Sequence, residues 1–140
     1  KSGGITANIG IHFYDMLLWI FGEVKDLVVH HRTEDSASGT ITCVEADIRW
    51  FLSINADHLP EGVKEKHQRT YRSITVGGEE IEFSDGFSDL HTDSYRHILE
   101  EGGFGLDEAE PSIQLVYKIR QAPLAPSASD AHPLARKLLA

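Results

Sequence analysis

The stretch GGITANIGIHFYDMLLWIFG, from Gly3 to Gly22, combines a long apolar run with polar residues at helical spacing. It contains no proline, and Gly22 is a natural C-terminal stop, so a helix is predicted from about Thr6 to Phe21. The apolar side chains cover most of the helix circumference. The pattern therefore predicts a helix that is buried nearly all round.

Asn8, His12 and Asp15 form a polar line along this apolar helix. At about 100° per residue, their side chains fall within an arc of roughly 60°. Burying three unpartnered polar groups would cost roughly 1–3 kcal/mol each, so the line must face hydrogen-bond partners, water or a ligand. The pattern alone leaves two interpretations open: a satisfied core network, or a functional site.

A glycine pair, Gly3-Gly4, stands just before the helix. Glycines let backbone approach a ligand closely, and a helix N-terminus favours negative charge. An ordinary loop is the alternative interpretation.

The length and composition are those of one globular domain, because 140 residues are too few for a complete two-domain dehydrogenase. With 13 basic and 22 acidic residues, the net charge of −9 opposes general attraction to nucleic acid or an anionic membrane surface. An anionic ligand would need a local basic cluster. The longest nearly apolar run is shorter than the roughly 20 residues of a membrane span, and no secretory signal is expected.

The single cysteine, Cys43, cannot form an internal disulfide, which favours a cytoplasmic protein and a small core residue. The eight histidines include no His-Glu-x-x-His and no convergent trio, so no metal site is predicted. Because the chain begins at Lys1 without a methionine, we expect it to be a piece of a longer protein.

The middle of the chain favours antiparallel strands. Residues 24–33 and 39–54 are rich in β-branched side chains, and Gly77-Gly78 lies between two strand-like runs, as in a hairpin. A basic cluster precedes this hairpin and is typical of a solvated strand edge. Its members are Lys64, Lys66, Arg69 and Arg72.

Helical signals return in the last third. Asp89 is predicted to cap a helix that ends at Gly102-Gly103, and residues 107–110 resemble a capping box that places Pro111 in the first turn of a helix reaching Gln121. Residues 122–130 are predicted to form a connector before a short helix at 133–139. We expect residues 1–122 to form a substrate-binding and oligomerisation domain, with 123–140 as the connector and short helix of the same domain.

Residues 3–17 resemble the active-site helix of the glucose-fructose oxidoreductase/inositol dehydrogenase/MocA family. The family pattern is Gly-Gly followed by Asp-x-Gly-x-His-x-x-Asp, which reads here as Asn8, Gly10, His12 and Asp15. Within the family, three stretches resemble the bacterial UDP-N-acetyl-glucosaminuronate 3-dehydrogenases. These are ANIGIHFYDMLLWIFG, RWFLSI and GFGLDEAEPSIQLVYKIR.

The resemblance implies an α+β C-terminal substrate domain with an open, mainly antiparallel sheet and helices packed on one face. The other sheet face would mediate a homo-oligomer, either a dimer or a tetramer. The sequence has no Gly-x-Gly-x-x-Gly after a strand and no Glu-Lys-Pro, so the Rossmann half is absent. NAD would be bound mainly by that N-terminal domain, and the isolated chain is expected to be inactive.

The resemblance also implies residue roles. His12 matches the family histidine that takes the proton from a sugar hydroxyl, a role that an imidazole titrating near neutral pH can fill. Asn8 stands where many relatives have Asp, which suits an acidic substrate, and Asp15 would orient His12. The residues expected at the substrate are Lys1, Gly3, Gly4, Asn8 and His12.

The predicted activity is oxidation of C3 of UDP-N-acetyl-glucosaminuronate, a nucleotide sugar used for surface polysaccharide such as lipopolysaccharide O-antigen. One alternative is another sugar or polyol dehydrogenase of the same family. A second alternative, from a different class, is a non-catalytic oligomerisation module in which the polar line is structural.

Overall fold

A computed structural model describes residues 3–85 and 89–139, so Lys1 lies outside the described residues. The chain divides into two compact units, one formed by residues 1–55 and 106–140 and the other by residues 56–105. A π-helical turn, Thr6–Gly10, leads directly into the first α-helix. The elements that follow are α1 (Ile11–Phe21), β1 (Val24–Arg32), β2 (Ser36–Cys43), β3 (Asp47–Ser53), α2 (Glu61–Glu65), β4 (Ser73–Val76), β5 (Glu79–Glu82), α3 (Leu90–Glu101), α4 (Leu106–Gln121) and α5 (Pro133–Leu139).

The first unit is built on an antiparallel sheet with the strand order β1-β2-β3. The long stretch predicted as strand at 39–54 is divided by a tight turn at residues 44–46, which folds β3 back on β2. The predicted α+β class with antiparallel strands is confirmed. In the described residues, however, the strands form a three-stranded sheet and a separate two-stranded hairpin.

An aromatic pair lies at the centre of the first unit's core. Tyr14 of α1 meets Trp50 of β3 edge to face, with ring centroids 5.5 Å apart. Gly39 makes room beneath Trp50, because a Cβ there would lie 2.9 Å from the indole ring and 2.3 Å from the Val28 carbonyl oxygen. The buried core residues of this cluster are Ile5, Tyr14, Val29, Ala37, Ile41, Cys43, Trp50, Leu115, Val116 and Ile119.

The C-terminal segment belongs to the first unit. The Ala125 amide donates to the Val29 carbonyl at 2.9 Å, and a ring nitrogen of His30 lies 2.8 Å from the Ala125 carbonyl oxygen. Ala131 and Ala135 are fully buried. The connector therefore joins the edge of the sheet at β1, and the bounds predicted for α5 and for the end of α4 are confirmed.

Two helix starts differ from the prediction. Asp89 has a left-handed backbone, with φ 61°, and forms no side-chain cap to α3. Helix α4 begins at Leu106, so Pro111 lies inside the helix rather than in its first turn. Asp89 thus holds the predicted position directly before α3 without capping it, whereas α4 begins earlier than a start that would place Pro111 in the first turn.

The second unit contains the predicted hairpin. Gly77 and Gly78 have φ values of 60° and 87° at the turn between β4 and β5, which confirms the reason for two glycines there. The two strands are short, with four residues each, and β4 begins at Ser73. Two members of the basic cluster before β4 have structural contacts: Arg72 donates to the Ser84 carbonyl at 2.8 Å, and Lys64 donates to the Asp57 carbonyl at 3.0 Å.

A hydrogen-bond network closes the turn between β1 and β2 around the Asp35 carboxylate. The carboxylate accepts from the Thr33 hydroxyl at 2.7 Å, from the Ser36 hydroxyl at 3.1 Å and from the Asn55 amide at 3.1 Å. These bonds lower the pKa of Asp35. His31 completes the network through a contact of 2.9 Å with the Ser36 hydroxyl.

We expect Asp35→Asn to lower the thermal unfolding midpoint at neutral pH, because the amide cannot accept all three bonds. A carboxyl whose pKa is lowered by folding stabilises the protein above its unfolded pKa, about 3.9, and loses that contribution as the pH falls further. The difference between wild type and variant in thermal melts should therefore shrink as the pH falls below about 3.9 and through the lowered pKa of the folded state. The exposed Asp26 offers a control, since Asp26→Asn should change little. An unchanged midpoint in Asp35→Asn at pH 7 would contradict this account.

Gly10 is required by close packing at the start of α1. A Cβ there would lie 2.7 Å from the Tyr14 ring and 2.9 Å from a Leu52 methyl group. Gly10→Ala should lower the free energy of unfolding by about 1–3 kcal/mol, because the Tyr14 ring is enclosed and cannot move aside. Urea denaturation measures this, with Gly62→Ala as the control, because no atom lies within 4 Å of a Cβ there. Equal stability of the two variants would show that the contact is relaxed.

Candidate functional site

The residues that the sequence singled out lie on the exposed face of α1 and in the π-helical turn that precedes it. Asn8, His12 and Asp15 are all exposed, and Trp19, one turn further on, is 89% exposed. The opposite face buries Tyr14 against the core. The prediction that this helix is buried nearly all round is therefore wrong for the described residues, because α4 and the sheet cover only one of its sides.

The exposure of this face changes the meaning of the polar line. Because water reaches the three side chains, no buried hydrogen-bond network is needed to offset their desolvation. Their exposure therefore excludes the interpretation as a satisfied core network. What remains is an exposed imidazole and an exposed carboxylate on α1, preceded by the exposed amide of Asn8 in the π-helical turn and followed by the exposed ring of Trp19.

The first turn of this helix is a π-helix, over Thr6–Gly10. Such i→i+5 turns are rare and occur often at functional sites. The Ala7 and Asn8 amides both donate to the Gly4 carbonyl, at 3.2 and 3.0 Å, so helical hydrogen bonding begins at Gly4. The hydrogen bond from the Asn8 amide thus ties the π-helical turn to the second glycine of the pair.

The glycine pair has a structural reason to be glycine. Gly3 and Gly4 have φ values of 85° and 79°, in the left-handed region that other residues rarely adopt. A Cβ at Gly3 would lie 2.8 Å from the Ala7 Cβ, whereas a Cβ at Gly4 would meet no atom within 4 Å. The pair thus turns the chain into the helix and leaves open space beside Gly4.

A small recess of about 120 Å³ opens beside the glycine pair. Arg32 lies at its wall and donates to the carbonyls of Ile119 and Ala122, at 2.7 and 3.2 Å, at the C-terminal end of α4. The full lining is Gly3, Gly4, Ile5, Thr6, Arg32, Thr33 and Arg120. Sequence reasoning missed both arginines, because only the fold brings residues 88 positions apart to one recess.

The other side chains with reactive groups, Ser36, Cys43 and His132, are buried or partly buried. Ser36 is 1% exposed, so its contact with His31 is not an accessible nucleophile pair. His132 stacks on Phe51 with ring centroids 6.0 Å apart, and burial lowers its pKa. Burial raises the pKa of the Cys43 thiol. Over residues 3–85 and 89–139, no group of three or more His, Cys, Asp or Glu is placed to hold a metal ion.

Membrane insertion by a helix can also be assessed. None of the helices in the described ranges has both the length and the apolar composition that a membrane crossing requires.

Two crystal structures of one dehydrogenase are among the solved structures that match this chain. Over 95% of this chain, a crystal structure of the WlbA (WbpB) dehydrogenase from Thermus thermophilus in complex with NAD and alpha-ketoglutarate is 49% identical, with a TM-score of 0.89. A second structure of that enzyme, in complex with NAD and UDP-GlcNAcA, is 48% identical over 95% of this chain, with a TM-score of 0.88. Each match spans 43% of the neighbour's chain, so this chain corresponds to less than half of that protein.

Comparison with family models gives a match over residues 1–132, and the matching model describes the C-terminal alpha/beta domain of an oxidoreductase family. The match contains the glycine pair, the π-helical turn, α1 and all strands of both sheets. The chain therefore belongs to the glucose-fructose oxidoreductase/inositol dehydrogenase/MocA oxidoreductase family, as its C-terminal alpha/beta domain.

Proposed function

We propose that this chain is the substrate-binding and proton-accepting domain of an NAD-dependent dehydrogenase that oxidises C3 of UDP-GlcNAcA. The observation that carries the proposal is His12, exposed on α1 between Asn8 and Asp15 in a domain of the oxidoreductase family. The likeness to a dehydrogenase solved with NAD and with UDP-GlcNAcA supports both the cofactor and the substrate class.

His12 accepts the proton that leaves the sugar hydroxyl during oxidation. An imidazole is suited to this role because its ordinary pKa lies near neutral pH. Helix α1 is anchored through Tyr14 and Leu17, so the imidazole stands on a rigid support. Asp15, at i+3 on the same exposed face, lies close enough in the helix to orient the imidazole.

NAD would be bound mainly by another domain and would contact this chain from there. The sheets of the described residues are antiparallel, and no strand leads through a glycine-rich turn into a helix that could cradle a pyrophosphate. When bound, NAD supplies the hydride acceptor for the oxidised carbon. Within this chain, the exposed face of α1 is the surface available to the nicotinamide side of the reaction, and a further domain binds the rest.

The amide of Asn8 matches an acidic substrate. A carboxylate at this position would repel a uronate group, whereas an amide orients a hydroxyl without adding charge. The proton-accepting role therefore rests on His12 alone. Gly3, Gly4 and Lys1 complete the proposed substrate set, in which Lys1 contributes positive charge.

The same proposal implies a pathway, a cellular location and an oligomeric state for the full-length protein. The oxidised sugar would enter the synthesis of a bacterial surface polysaccharide, including lipopolysaccharide, in the cytoplasm. The full-length protein would be a homo-oligomer that assembles through a sheet face. These points stay predictions, and sedimentation analysis of the full-length protein tests the oligomer.

In the full-length protein, His12→Ala should reduce kcat with UDP-GlcNAcA by about 100-fold to 10,000-fold, the range for loss of a general base. The thermal midpoint should hold, because His12 is exposed. Asp15→Asn should cost much less, since its carboxylate acts only through His12. NADH formation measured spectrophotometrically reports both effects. Turnover by His12→Ala close to wild type would exclude the assigned role.

Asn8→Asp, also in the full-length protein, tests the acidic character of the substrate. The added carboxylate should weaken UDP-GlcNAcA binding by about fivefold or more through charge repulsion. Binding of UDP-GlcNAc, which lacks the uronate carboxylate, should change far less. Calorimetric titration of both ligands into each protein gives the comparison, and equal losses for the two sugars would contradict the proposed position of the uronate. Preference of the wild type for a free hexose would instead favour another sugar dehydrogenase of the family.

A further inference from the structure

The recess beside Gly3-Gly4 contains two positive charges that no described carboxylate pairs with. Arg32 and Arg120 both line it, and in the described part of the chain neither guanidinium is ion-paired with a carboxylate. The chain has 22 acidic and only 13 basic residues, so carboxylates are abundant. Two arginines that share a recess without such a partner favour an anion from outside the chain.

Arg32 is held in place before any ligand arrives. One of its terminal nitrogens donates to the Ile119 and Ala122 carbonyls, and this fixes the guanidinium at the end of α4. Its side chain is half-buried, and two nitrogens of the fork remain beyond that contact. A fixed guanidinium loses little conformational freedom on binding, so it suits a carboxylate or a phosphate.

Two carboxylates follow Thr33 in the sequence, Glu34 and Asp35, and in the described part of the chain neither is ion-paired with Arg32 or Arg120. Glu34 is exposed to solvent, and the oxygens of Asp35 are engaged, because they accept from Thr33, Ser36 and Asn55. Its hydrogen bonds therefore close the turn and do not neutralise the arginines. On the other wall, the left-handed backbone of Gly3 and Gly4 leaves open space, because no atom lies within 4 Å of a Cβ at Gly4.

We propose that this recess binds one oxyanion group of the acidic nucleotide sugar, with Arg32 as a preset anchor and the exposed Arg120 as a second positive charge. The proposal rests on the proposed function, because it names how that substrate is held. The volume of about 120 Å³ accommodates one such group rather than a whole nucleotide. The group is either the uronate carboxylate or a phosphate of the pyrophosphate, which share the same chemistry toward arginine.

Arg120→Gln in the full-length protein tests the recess, because Arg120 is exposed and its loss removes charge without disturbing the core. Lys118→Gln is the matched control: it makes the same charge change on the same helix, outside the recess. Binding of UDP-GlcNAcA, UDP-GlcNAc and UDP is measured by calorimetry in the presence of NAD. We expect Arg120→Gln to weaken UDP-GlcNAcA by about tenfold, with Lys118→Gln unchanged.

The three ligands separate the two sources of the anion. A loss confined to UDP-GlcNAcA assigns the recess to the carboxylate, and an equal loss for all three assigns it to the pyrophosphate. If Arg120→Gln loses no affinity, or if Lys118→Gln loses as much, the proposal that the recess binds an anion is wrong. In that case, turnover of UDP-GlcNAcA by the wild type would still support the proposed function. A wild type that binds none of the three ligands overturns the proposed function, and the recess proposal with it.

Discussion

The edge-to-face contact between Tyr14 and Trp50 determines how α1 lies on the sheet. Tyr14 is 1% exposed, and burial raises the pKa of its phenol, so the ring behaves as an uncharged wedge. Once this ring enters the core, helical geometry directs His12 and Asp15 away from it. The exposed face of α1 is therefore a consequence of core packing on the opposite face.

Two glycines make this contact possible. Gly10 lets the Tyr14 ring lie against the helix backbone one turn away, and Gly39 lets the Trp50 indole lie against the middle strand. Both sites are crowded in a way that a single methyl group would disturb. Glycine is thus selected here for close approach, whereas Gly3 and Gly4 have the left-handed backbone as their reason. Glycine thus meets two different requirements: close packing at Gly10 and Gly39, and a left-handed backbone at Gly3 and Gly4.

Local signals in the sequence predicted the elements well where a residue type acts on its own neighbours. Gly77-Gly78 specifies a hairpin, and the proline-rich connector specifies where α5 begins. The sequence did not predict how much of α1 is buried. A helix with apolar residues around most of its circumference shows the same pattern whether neighbouring elements cover one side or all sides. The π-helical turn has no local marker apart from Gly10. Likewise, no spacing rule brings Arg32 to Arg120, because their proximity depends on how α4 packs.

The position of the arginines explains how a chain of net charge −9 can attract an anion. Salt screens charges beyond about 8 Å at physiological ionic strength, so exposed carboxylates on distant surfaces contribute little at the recess. The carbonyls at the end of α4 neutralise part of the charge of Arg32 and also fix its position. Arg120, on the last turn of the same helix, adds a charge that no described carboxylate cancels. Helix α4 thus contributes Ile119 to the buried core and Arg120 to the recess beside the N-terminus of α1.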